Sequence, residues 1–379
     1  MAANPSIQLG TDGNWAIKED NLLAYKKDGT RFFNKEFDFT RNTTATFVDK
    51  DGLIKVSATN TPRIDFTDDA TGYLLLEPQS TNLITYSEDF SQWTTQGTIT
   101  TTPSYGISPD GTKNSTRIFF SDGSQQIYKN FTSSSGVSGS IYIKGNSGQA
   151  IKFGVKGGEE IFTLNGDWQR LTTYSSSSTR LTINTYGAAS TARDIEVWGA
   201  QVEEKSYSTS YIPTFGSTAT RAQETCNGAG NASTFNSTEG VLYAEIAALA
   251  NQANYRYIAL TDGTTNNRVD ILYRGDVANR ITSRLIVGGA EAARFDITID
   301  NELNYNKFAL SWKQNEVKFF INGTQQGSTD TNANVPPANT LNELMFNRGD
   351  GNEQFFGKTK GVYVFNKALT DDELQHLTS

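Results

Sequence analysis

The chain has 379 residues, 36% of them hydrophobic, with 33 Lys and Arg against 41 Asp and Glu for a formal net charge of −8. That length suits two or three domains, and the acidic balance without any Lys/Arg-rich tract excludes a phosphate-tracking stripe, so no nucleic-acid partner is expected. No stretch reaches the roughly 18 consecutive apolar residues a membrane span needs, and the polar residues 1–10 offer no signal-peptide apolar core, so neither membrane insertion nor Sec export is expected.

Residues 1–79 open with a polar arm and then give short strand-like pieces at 22–25, 31–33, 44–48, 53–56 and 72–76. Asp49-Lys50-Asp51-Gly52 marks a tight turn that makes a hairpin of two of them. Pieces this small need a neighbouring domain, a sister subunit or a larger particle to bury their apolar groups. Trp15, Phe32, Phe33, Phe37, Phe39 and Phe47 crowd this stretch, so several are expected to face water unless shared among subunits. The segment is therefore expected to serve attachment and oligomerisation.

From 80 to 222 the strand pattern repeats at 140–143, 151–155, 168–174, 181–186 and 194–202, separated by Ser/Gly runs. Ile195, Val197 and Gly199 alternate with Glu196 and Trp198, as a half-buried strand requires. A polar connector, 206–221, precedes Cys226, the only cysteine, which leaves no intrachain disulfide. A second series runs from 235 to 365 and includes 256–261, 268–273, 308–312 and 317–321, the last closed by the hairpin dipeptide Asn322-Gly323. Thr370-Asp-Asp-Glu373 predicts a capping box opening a short helix at 371–377. The expected fold is all-β: two β-sandwich (jelly-roll) domains behind a short β-rich N-terminal attachment segment, with boundaries at 1–79, 80–222 and 223–379.

Residues 39–54 (FTRNTTATFVDKDGLI), 61–66 (TPRIDF), 72–77 (GYLLLE) and 80–83 (STNL) resemble a module of tailed-bacteriophage structural proteins. Residues 86–90 (YSEDF), Trp93, 167–170 (DWQR) and 194–203 (DIEVWGAQVE) resemble the carbohydrate-binding-module-like jelly roll that follows it, usually closed by a phrase like 211–214 (YIPT) to 219–221 (ATR). Residues 308–312, 317–323 and 362–374 (VYVFNKALTDDEL) resemble concanavalin A-like, laminin G-type sandwiches. The resemblances imply a fibre-, spike- or decoration-type protein at the virion surface. They also imply a structural calcium in the jelly roll, for which Glu88, Asp89 and Asp194 are the preferred ligands; no other cofactor is required.

Catalytic chemistry finds little support. His376, the sole histidine, lies near the terminus, a poor platform for a Ser-His or Cys-His pair. No strand of the last domain carries alternate carboxylates to face each other across a sugar; Asp194 and Glu196 alternate, but in the jelly roll. Trp93, Trp168, Trp198 and Trp312 could each offer an indole face to a pyranose, but a packing role is the stronger reading, and Trp168 and Trp312, inside strands with apolar neighbours, are assigned to cores. Tyr255, Tyr257, Tyr273 and Arg274 lie near strand ends beside Gly/Asn/Asp loops, where a ring with hydrogen-bonding neighbours suits a carbohydrate site. The expected function is non-enzymatic: adhesion to host-surface polysaccharide by a homotrimer joined to other virion proteins through its N-terminal segment. A purely structural virion or adaptor protein is the alternative, and a polysaccharide depolymerase the second.

Overall fold

The computed structural model describes residues 4–10, 17–18, 21–28, 31–188, 191–251 and 254–379, with the backbone alone from 17 to 36. The chain is all-β, and Asp371–Thr378 is the α-helix among the described residues. It divides into two compact units, one of Met1–Asn42, Thr59–Pro78 and Glu224–Ser379, the other of Thr43–Ala58 and Gln79–Gln223.

In the first unit, Gly357–Phe365, Glu239–Ala248, Asn306–Lys313, Glu316–Ile321 and Thr324–Asp330 lie side by side in one large sheet. A five-stranded sheet, Ala290–Thr298, Arg280–Val287, Arg268–Tyr273, Arg256–Thr261 and Glu343–Met345, forms the other layer. Leu242, Phe308, Leu310, Trp312 and Phe319 of one sheet share a single core with Ile258, Leu260, Val269, Ile271, Ile281 and Leu285 of the other. Alternation produces this arrangement, each strand sending every second side chain inward. Asn322 and Gly323 both take positive φ, 46° and 82°, in the two-residue turn where Ile321 faces Thr324, as the expected hairpin demands. The helix begins with the expected capping box of Thr370 and Glu373 and buries Leu374 with Phe320 and Phe365.

The expected separate segment 1–79 is corrected. Ile7–Leu9 pairs with Gly357–Phe365, Asp38–Thr40 pairs with Thr225–Asn227, and Tyr73–Leu76 also joins Gly357–Phe365. Phe37 and Phe39 are buried in the same core as Ile64, Leu74 and Leu76, so these two phenylalanines do not face water. The small pieces found their apolar partners in the C-terminal sandwich, which supplies the area they lack. Phe47 is half-buried; Trp15 and the side chains of Phe32 and Phe33 lie outside the described residues.

The second unit stacks Thr94–Gln96, Gln126–Asn130, Arg180–Asn184, Ala150–Val155 and Glu160–Thr163 on Ile99–Thr102, Thr116–Phe120, Arg193–Glu203, Val137–Gly145 and Gln169–Ser175. Ile118, Phe120, Ile127, Ile141, Phe153, Ile183 and Val197 fill the space between. The hairpin Ala45–Val48/Ile54–Ser57 belongs here: Ile54 packs with Trp198 and Tyr211 on the outer face of the second sheet, with Val48, Tyr142 and Trp168 against them.

Candidate functional site

The five-stranded sheet of the first unit turns its inward residues to the core and leaves Tyr257, Ala259 and Thr261, then Arg268, Asp270 and Leu272, then Thr282 and Arg284, on the opposite face. Register sets Ala259 beside Asp270, Asp270 beside Arg284 and Thr282 beside Asp296. A strand period of 2 therefore collects arginines, aspartates and a tyrosine from four strands onto one surface.

Two charge clusters organise that surface. Asp270 accepts from Arg284 Nε at 3.1 Å and Nη2 at 2.8 Å, and from Arg268 Nε at 2.8 Å. Burial alone would lower the Arg284 pKa, but the Asp270 carboxylate outweighs it and holds the guanidinium charged. Asp296 accepts from Arg280 Nε at 3.0 Å, Thr282 Oγ1 at 2.9 Å and Arg274 Nη1 at 3.1 Å. Burial would raise its pKa; the hydrogen bonds from Arg280 and Thr282 pull it below the ordinary value instead.

Aromatic rings flank these clusters. The Tyr255 and Tyr257 centroids lie 6.3 Å apart, with the Arg274 guanidinium 6.0 Å from the Tyr255 ring and that of Arg284 5.6 Å from the Tyr257 ring. Arg274 is held in turn by Asp276, whose pKa falls to about 2 because of that hydrogen bond. Tyr257 is only 6% exposed and acts as a support, whereas Tyr255 keeps its ring half-exposed. Arg268, Asp270 and Thr282 are themselves buried, so the donors and apolar face left partly exposed are those of Arg274, Arg280 and the Tyr255 ring, groups that suit a polar ligand.

Tyr255, Tyr257 and Arg274 are thus brought together, and Tyr273 is not. Tyr273 falls in phase with Val269 and Ile271, is 0% exposed, donates its hydroxyl to the Ile246 carbonyl at 3.0 Å and meets Phe308 edge-on at 6.1 Å. Arg284, Asp270 and Arg268 were missed, although counting alternate positions from the apolar residues of their strands identifies them.

The expected calcium ligands of the second unit do not converge. Asp194 is engaged by Arg117, Nε at 2.8 Å and Nη2 at 2.6 Å. Asp89 caps the turn Phe90–Gln92 through Ser91. Glu88 accepts from the Tyr211 hydroxyl at 2.8 Å, and burial raises its pKa, a penalty on the charged form that a cation ligand needs. Among the described residues no group of three or more His, Cys, Asp or Glu is placed to hold a metal ion.

Other reactive groups are equally occupied. Burial pushes the Cys226 thiol well above its ordinary pKa, away from the thiolate a nucleophile needs. His376 is exposed on the helix. Trp312 donates to the Ser237 carbonyl and Trp93 to the Tyr86 carbonyl from buried positions, and Trp198 is buried under the hairpin. Trp168 is only partly buried against that cluster and donates to the Ile107 carbonyl.

Residues 231–375 match the family described as the concanavalin A-like lectin/glucanases superfamily, which defines the C-terminal sandwich as concanavalin A-like. Among solved structures, the chain is similar to the CBM40 of Ruminococcus gnavus IT-sialidase bound to α2,3-sialyllactose (18% identity, TM-score 0.34, covering 40% of this chain and 94% of that one). It is also similar to domain 4 of AbnA, a GH43 extracellular arabinanase of Geobacillus stearothermophilus, in complex with arabinotriose (15%, 0.33, 45% and 82%). A third is the mouse laminin α1 chain, domains LG4-5 (8%, 0.24, 66% and 92%). No curated protein sequence matches the chain.

Proposed function

We propose that the chain is a non-enzymatic glycan-binding protein of a bacteriophage surface, acting through the outer face of the five-stranded sheet of its first unit. The observation that carries the binding role is the half-exposed Tyr255 ring with Arg274 beside it, itself clamped by Asp276 and Asp296, in a sandwich that matches a lectin and glucanase superfamily. Held side chains lose little freedom when a ligand binds, which favours weak but usable affinity. The virion setting, host-surface polysaccharide as ligand and a homotrimer that repeats the site follow from the sequence resemblance. A depolymerase is disfavoured because Asp296 is held below its ordinary pKa by the hydrogen bonds from Arg280 and Thr282, whereas a general acid needs a raised pKa.

A glycan array probed with the full chain tests the reading, with Tyr255→Ala and Arg274→Ala alongside. At least one arrayed glycan is expected to bind in a way that each substitution abolishes without loss of fold. A full chain that binds no glycan leaves the purely structural role. Release of reducing ends from a bound polysaccharide overturns the non-enzymatic reading.

A further inference from the structure

In the second unit, a cleft of about 380 Å³ opens beside Ser138, Glu160, Thr172, Tyr174 and Ser208, a size within the range of small-ligand sites. Ser138 lies in Val137–Gly145, where Val137 and Ile141 enter the core and Ser138 points the other way, opposite Tyr174. It is 2% exposed, yet its hydroxyl, like that of Ser208, is buried without a hydrogen-bond partner among the described residues. Nearby hydroxyls are matched: Ser140 accepts from Arg170 at 3.1 Å and Ser80 donates to Glu203 at 2.5 Å. A buried hydroxyl left unpaired costs free energy, so two of them lining one cleft mark a place where an outside molecule supplies the missing partners.

The lining also selects the ligand. Hydroxyls donate and accept, a carboxylate such as Glu160 accepts from the O–H groups of a ligand, and no Lys, Arg or His lines the cleft, which disfavours an anion. The Tyr174 ring is 47% exposed and offers an apolar face. Gly136 leaves room for it, since a Cβ there would come 2.4 Å from the Tyr174 hydroxyl. We propose that this cleft is a second binding site, independent of the sheet face described above, which takes one ring of a neutral, polyhydroxylated sugar.

The test uses the full chain, saturation-transfer NMR titrations with methyl glucopyranoside, galactopyranoside and mannopyranoside, and methyl glucuronide as the anionic contrast. At least one neutral pyranoside is expected to bind. Ser138→Ala and Glu160→Gln should each weaken it about threefold or more, the loss of one hydrogen bond. Ser138→Ala should leave Tm unchanged or raised, because the hydroxyl has no internal partner to lose. Binding should persist in Tyr255→Ala/Arg274→Ala, so failure of the sheet-face reading leaves this one standing. Absence of pyranoside binding, a preference for the glucuronide, or affinity unchanged in both cleft variants overturns the proposal. So does a Tm lowered by Ser138→Ala, or binding lost in the sheet-face variant.

Discussion

Glu224 grips Arg63 with both oxygens, accepting from Nε at 2.8 Å and Nη2 at 2.5 Å. Its Oε1 also takes Arg41 Nη1 at 2.7 Å, and Arg63 reaches Glu77 at 2.9 Å. None of the Arg41, Arg63 and Glu224 side chains is exposed. These residues come from three separate stretches of the chain, all belonging to the first unit. Burial would lower the Arg63 pKa, but the two carboxylates raise it, so the charges persist as a satisfied network.

Glu224→Ala should therefore cost about 3–5 kcal/mol, because it strands two buried guanidiniums rather than merely deleting one attraction. Denaturant titration of the full chain measures it. A loss below about 1 kcal/mol, the value of a surface pair, would show that the network does not hold the unit together.

Neither sandwich should reach its native packing from the continuous fragment that its strand series suggests. Residues 223–379 lack Arg41, Arg63 and Glu77, the strand Ile7–Leu9, and the buried Phe37 and Phe39. Residues 80–222 lack Ile54, which covers Trp198 and Tyr211. Circular dichroism with dye binding should show the first fragment unfolded and the second with a β signal but exposed apolar surface. In the full chain, Ile54→Ala should cost about 2–4 kcal/mol, the range for a large side chain removed from a core.

The strands of the C-terminal sandwich, the hairpin turn and the capped helix were legible in the sequence because each is fixed by neighbours a few residues away, whereas the strands Thr94–Gln96, Ile99–Thr102, Thr116–Phe120 and Gln126–Asn130 were not. Asn322-Gly323 can hardly do anything but turn, and Thr370 caps with Glu373. The discontinuous units were not legible, because the pairing of Ile7 with Val364 depends on where an edge strand lies free rather than on any local pattern. The binding face was half legible. Tyr255 and Arg274 stand out as loop-side residues, whereas Tyr273 was misplaced through neglect of its phase with Val269 and Ile271.

Tyr273→Phe and Tyr255→Ala should separate stability from binding. The first removes a buried hydrogen bond to the Ile246 carbonyl, costs about 1 kcal/mol and leaves glycan binding unchanged. The second removes a half-exposed ring, with Tm nearly constant and retention of the sheet-face glycan lost. Thermal unfolding and array binding of the two variants give the comparison, and weakened binding in Tyr273→Phe would contradict the assignment of faces.

Glu88 should make the second unit less stable as pH rises. Burial raises its pKa above the ordinary 4.5, the hydrogen bond from Tyr211 opposes that shift in part, and Asp110 adds to it. A carboxyl whose folded pKa exceeds its unfolded one binds its proton more tightly in the native state. Its contribution is thus complete below about pH 4.5 and is lost as pH climbs through the raised value. At neutral pH the fold carries a partly buried charge that glutamine would not. Glu88→Gln can still accept from Tyr211 through its amide oxygen, so it should raise Tm relative to the parent at pH 7 by more than it does at pH 4. Calorimetry of both proteins at the two pH values reads the difference directly. A Tm gain that shrinks from pH 4 to pH 7 would mean that the Tyr211 hydrogen bond, and not burial, sets the charge of Glu88.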